Sequence, residues 1–113
     1  MRQVAVIDIG KTNAKLLLVD LSSGAETTVA RRANQVCADG PYPAFDIEGL
    51  WNFLLAALTD LAQSQKVDAI SITTHGAAAV LVDGVGNLVL PMLDYEHSGP
   101  DETAPEYDAL RPA

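Results

Sequence analysis

Cysteine, aromatic residues and positive charge are all scarce in this chain of 113 residues. The single cysteine, Cys37, excludes an internal disulfide and a cysteine-built metal cluster. Its surroundings, "NQVCADG", offer no neighbouring base to make it a nucleophile. Seven Lys and Arg face 15 Asp and Glu, for a formal net charge of −8. Nucleic acid and anionic membranes both demand a concentrated basic patch, so neither is expected as a partner. No apolar run approaches the ~20 residues that cross a bilayer. The opening "AVIDIG" is interrupted by Asp8 and lacks the core of a signal peptide, so the expected location is the cytoplasm. What is present is 49% apolar, the composition of one modest globular domain with a real core.

Gln3 to Ile9 and Ala14 to Asp20 read as two strands rich in Val, Ile and Leu, joined closely enough to pair antiparallel. "LSSGAE" is a turn in which Gly24 supplies a positive φ, and Thr27 to Val36 reads as a third strand. "CADGPYPAFD" is a loop punctuated by glycine and proline. Asp46 is then the N-cap of a helix to about Gln63, with Leu50, Phe53, Leu54, Leu58 and Leu61 on one face and Trp51 as a core or interface residue. Ala69 to Thr74 is a strand reached across that helix, so it pairs in parallel with the first sheet. Ala79 to Val82 and Leu88 to Leu90 form a second hairpin around "DGVGN". The predicted fold is α/β, a ribonuclease H-like half-domain with a mixed sheet in β-β-β-α-β order plus a hairpin. Residues 1–95 make this domain, and residues 96–113 read as an acidic, proline-containing loop with no apolar periodicity.

Between the first two strands lies Asp8-Ile9-Gly10-Lys11-Thr12-Asn13. Gly10 admits a close backbone approach, Lys11 brings positive charge, and Thr12 and Asn13 bring donors that phosphate oxygens accept. Asp8 repels phosphate directly but suits the water shell of a Mg²⁺ that bridges phosphates. A plain polar hairpin tip would also use Gly and Asn. The pattern is neither a P-loop nor a dinucleotide fingerprint, since G-x-x-x-x-G-K-[ST] and G-x-G-x-x-G are both absent.

"VIDIGKTNAKLLLVD" resembles the first phosphate loop of the sugar kinase, Hsp70 and actin superfamily. With "AISITTHGAAAVLVDGVGNLVLPMLDYEH", the resemblance narrows to the FGGY carbohydrate kinases, nearest the L-fuculose and L-rhamnulose kinase type, and spans most of residues 3 to 97 in order. It implies that Asp8 organises Mg²⁺ through water and that Gly10, Lys11, Thr12 and Asn13 meet the phosphates of ATP. It also implies that His75 and Gly76 floor the sugar site, with Asp94 and Tyr95 contacting the sugar. Lys11 stands where many members have Thr, Lys15 where they have Arg, and Tyr95 and His97 where Trp and Asp are commoner. Family members are several times longer. The resemblance therefore implies the amino-terminal portion of an ATP-dependent sugar kinase, inactive alone, with the catalytic base and the carboxy-terminal domain outside the sequence.

Two other readings stand beside it. A two-metal nuclease on the same fold needs converging carboxylates, whereas the strand after the helix ends in Thr73, Thr74 and His75. A short non-catalytic module that binds nucleotide or sugar and associates with a partner chain, or with itself as a homodimer, is the other.

Overall fold

The computed structural model describes residues 2–112. β1 (Gln3–Ile9) and β2 (Asn13–Asp20) pair antiparallel, with Ile7 opposite Leu16 and Asp8 opposite Lys15. β3 (Ala25–Ala33) joins the far side of β2, and the turn between them uses Gly24 at φ 73° as the sequence demands. Two short strands follow, β4 (Val36–Cys37) and β5 (Ala44–Phe45), paired with each other. The helix α1 (Ile47–Ser64) leads to β6 (Ala69–Thr74), which runs parallel to β1. The four long strands stand in the order β3-β2-β1-β6.

Strand alternation divides the sheet into two faces. Ala5, Ile7 and Leu16 point to α1 and bury Leu54, Ala57 and Leu61 against them. Leu16 is fully buried. The helix begins where Asp46 accepts a hydrogen bond from the Gly49 N–H, 3.0 Å away, as an N-cap should. Val4, Val6 and Asp8 fall on the opposite face, together with Lys15 and Leu17 of β2.

Four expectations need correction. The third strand ends at Ala33 and not at Val36: past it, Asn34 makes one last cross-strand bond, N–H to Thr12 O, and its side-chain amide donates to Gly10 O. The second hairpin keeps its turn, built on Asp83 and on Gly86 at φ 89°, but its ladder shrinks to the Val82–Leu88 bridge and a Val89 N–H bond to Leu81 O. Within the expected loop of residues 96–113, the described residues to 112 are not a continuous loop. A 3₁₀ turn (Gly99–Thr103) leads into α2 (Ala104–Leu110), and Pro100 and Pro105 sit in the first turns, where a missing N–H costs nothing. The segment Cys37 to Asp46 is not all loop, because Cys37 and Ala44–Phe45 lie in the paired strands β4 and β5. Trp51 is 59% exposed, so of core and interface only the interface expectation stays open.

Candidate functional site

Asp8 is the penultimate residue of β1, near its carboxyl end, on the sheet face turned away from α1. Lys15 of β2 lies directly across from it, Thr73 of β6 stands on its other side, and Arg31 of β3 is the next residue beyond Lys15. One carboxylate thus shares a sheet face with two cations. Such a face draws a polyphosphate while leaving a place for its metal. Among the described residues Asp8 has neither an ion pair nor a side-chain hydrogen bond, and no group of three or more metal-ligating side chains stands together. A single carboxylate of this kind fits a hydrated Mg²⁺ held through water.

The loop after Asp8 is braced from behind. Gly10 N–H donates to Asn13 O at 2.8 Å and so closes the turn, which takes it out of any outward-facing role. Asn34 holds the loop twice, at Gly10 O and Thr12 O. The Asn13 side chain accepts from Arg31 Nε at 3.2 Å and donates to Thr12 Oγ1. Among the described residues the N–H groups of Lys11 and Thr12 have no partner, so those two are the backbone donors left to an anion.

A second cluster gathers His75, Phe45, Tyr95 and Asp94. Three chain segments bring it together. Phe45 N–H donates to Met92 O and Asp94 N–H to Pro43 O, so the segment after Pro91 runs along β5. Tyr42 Oη pins the start of that segment through Pro91 O at 2.7 Å. His75 extends β6 by one more bond, to Ile9 O. The three rings then meet with centroids 5.5 to 6.0 Å apart in tilted arrangements. His75 Nδ1 is buried and unpartnered among the described residues. Next to this cluster opens a largely apolar cleft of about 200 Å³, lined among others by Ile9, Phe45, Leu50, His75 and Met92.

Lys11 joins the two clusters. Its Nζ lies 3.2 Å from Asp94 Oδ1 and 3.4 Å from Glu96 Oε2. The same amine stands 5.1 Å from the Phe45 centroid and 5.8 Å from that of Tyr95. Burial alone would push the Asp94 carboxyl up, but the Glu96 N–H and the Lys11 amine outweigh it and hold it below the usual carboxylate range. Burial likewise disfavours the Lys11 cation, and its two carboxylate partners overcome that and raise its pKa.

The structure therefore gathers Asp8, Gly10, Lys11, Thr12 and Asn13 at one end of the sheet, as the sequence requires, and brings His75, Asp94 and Tyr95 together beside them. Gly76 is exposed, with open space where a Cβ would stand, so sterics do not dictate a glycine there. Phe45 and Asn34 were missed by sequence reasoning. Phe45 carried a faint signal, an apolar residue immediately before the N-cap Asp46. Asn34 carried none, because its partners lie more than one strand upstream.

No family profile matches the chain, and no curated protein matches it. Solved structures do. A carbohydrate kinase from Novosphingobium aromaticivorans is similar at 32% identity and a TM-score of 0.75, over 96% of this chain and 23% of that one. A xylulose kinase from Rhodospirillum rubrum is similar at 28% identity and a TM-score of 0.71, over 97% of this chain and 24% of its own. A glycerol kinase with ADP from Plasmodium falciparum shares 17% identity over 99% of this chain, with a TM-score of 0.69. The chain has the fold of part of such a kinase, a half-domain of the sugar kinase and actin-like ATPase fold, and spans about a quarter of their length.

Proposed function

We propose that this chain is the amino-terminal portion of an FGGY-type, ATP-dependent carbohydrate kinase. The reaction is transfer of the γ-phosphoryl group of MgATP to a hydroxyl of a ketose or deoxy-ketose. The observation that carries this reading is the position of Asp8: near the end of a central strand, without a partner among the described residues, just ahead of the free N–H groups of Lys11 and Thr12 and in register with the cations Lys15 and Arg31. The likeness to solved sugar kinases over nearly the whole of this chain points the same way.

Phosphoryl transfer asks the protein mainly for positioning and charge stabilisation. Thr12 and Asn13, with the two N–H groups, would orient the terminal phosphates, and Lys15 and Arg31 would attract them. Asp8 would hold Mg²⁺ through water. That ion supplies charge neutralisation across the bridging phosphate oxygens. His75, Asp94 and Tyr95 would position the sugar, with the rings of Tyr95 and Phe45 offering flat apolar walls. The base that takes the hydroxyl proton is assigned to residues outside this chain.

The test is a panel of ketoses, deoxy-ketoses, aldonates and glycerol offered to the protein as its gene encodes it, with ADP release followed by a coupled assay. One ketose should support Mg²⁺-dependent turnover. Asp8→Asn should lower kcat by about 100-fold or more, the scale of removing a preorganised charge from a transfer site. His75→Ala should raise the sugar KM and leave the ATP KM unchanged. An equal rise in both would remove His75 from the sugar site.

A further inference from the structure

The amine of Lys11 lies beneath the sugar-side segment even though its backbone belongs to the loop after Asp8. It contacts both carboxylates of that segment and lies near two aromatic rings, Tyr95 of the same segment and Phe45 of β5. The side chains of Lys11 and Asp94 are 21% and 12% exposed, which shields their pairing from the solvent screening that empties most surface ion pairs of value. To reach a phosphate, the amine would have to leave two carboxylates and two ring faces at once.

Asp94 is held in an asymmetric way. Its Oδ1 receives both the Lys11 amine and the Glu96 N–H, the latter at 3.1 Å. No hydrogen bond reaches Oδ2 among the described residues. One oxygen is thus fixed, and the other remains an acceptor for a substrate hydroxyl.

We propose that Lys11 is a positioning residue of the sugar site: its amine orients the Asp94 carboxylate for a sugar hydroxyl and mechanically ties the sugar segment to the metal-phosphate loop. The proposal rests on the kinase reading above and changes one part of it, moving the Lys11 side chain from the phosphates to the sugar. The loop keeps its backbone N–H groups for the anion, and Thr12 and Asn13 with them.

The experiment compares wild type with Lys11→Met, Lys11→Arg, Asp94→Asn and the double variant Lys11→Met/Asp94→Asn, each in the protein as its gene encodes it. Lys11→Met should raise the sugar KM about tenfold and move the ATP KM by about twofold or less, the split that separates binding of one substrate from binding of the other. Lys11→Arg, which keeps the charge and stacks on aromatic faces, should recover most of the loss. The double variant should be no worse than Asp94→Asn alone, since residues that act as one unit are not additive. A rise in the ATP KM would place the amine on the phosphates and overturn the proposal. So would additive losses in the double variant. If Lys11→Met does not fold, a Lys11→Arg protein with an altered ATP KM and an unaltered sugar KM would overturn it equally well. A wild type that phosphorylates none of the sugars removes the kinase reading itself, an outcome distinct from an active enzyme whose Lys11 variants fail on ATP.

Discussion

The carboxylate of Asp68 joins the starts of two strands that lie far apart in the chain. Its Oδ2 accepts from Arg2 N–H at 3.0 Å and from Gln3 N–H at 3.1 Å, and Lys66 Nζ lies 3.1 Å from Oδ1. Its own N–H returns a bond to Gln3 O. The Arg2 and Gln3 N–H groups, with the Lys66 ammonium, hold the carboxyl far below the usual range. A carboxyl whose pKa is depressed on folding adds stability that is complete above its unfolded value, about 3.9, and is lost as pH falls below that value. Asp46, Asp83 and Asp94 are shifted in the same direction. Urea midpoints should therefore fall as pH drops below about 4, and Asp68→Asn should show a shallower fall than wild type. Parallel curves for the two proteins would mean that Asp68 gains nothing from its partners. Nothing near Asp68 in the sequence announces this role, because its two backbone donors lie 65 and 66 positions away. Sequence distance hid Asn34 too, whose side-chain partner Gly10 lies 24 positions away. By contrast, Asp8 and His75 stand out in the sequence as candidates, since each lies in a local pattern of strand end and polar loop.

At the scale of elements, periodicity decided what could be read. β1, β6 and α1 stand within a residue or so of where their apolar spacing puts them, and the Asp46 cap is where the sequence places it. β4 and β5 have two residues each, too few for any period, and the pairing that lines up Asp94 beside Pro43 depends on them. Gly49 shows how an element can mislead. A helical glycine costs about 1 kcal/mol relative to alanine, so Gly49→Ala looks stabilising. Yet Arg32 Nη2 reaches Asp46 Oδ2 at 2.6 Å directly over that position. A Cβ on residue 49 would stand 2.6 Å from Arg32 Nη2 and against the Asp46 carboxylate. Gly49→Ala should accordingly lower the melting temperature, by displacing the ion pair and loosening the cap that starts α1. A rise above wild type would show that Arg32 swings clear at no cost. The capping residue was visible in the sequence, and the arginine from β3 that completes it was not.

The molecule as a whole does not close on itself. Its radius of gyration is 18.1 Å, while about 13 Å is expected of a compact chain of this length. α1 covers one face of the sheet only in part. Trp51, Leu55, Ile70 and Ile72 are 59%, 45%, 57% and 65% exposed, and they share a groove of about 340 Å³ with the core residues Ile7 and Leu54. Ile70 and Ile72 belong to β6, which pairs only with β1 among the described residues and so forms the sheet's edge. Their register beside Ala5 and Ile7 sets them on the helix-facing side. A sequence reader assigns such residues to the core, because burial of this stripe is what the apolar pattern encodes; the finished fold leaves it open. An exposed apolar patch beside an unpaired strand edge attracts dyes and other copies of the chain. The 113-residue chain should therefore bind a hydrophobic dye and show concentration-dependent association in sedimentation velocity. Ile72→Lys should weaken both, since an edge lysine blocks strand addition while its charge breaks the patch. Because Ile72 is already mostly exposed, the substitution should move stability by only about 0.5 kcal/mol, the usual range for surface changes. Loss of association with an unchanged melting temperature would assign the effect to the open face. A wild-type chain that stays monomeric and dye-free at high concentration would show that residues on this face cover one another in solution.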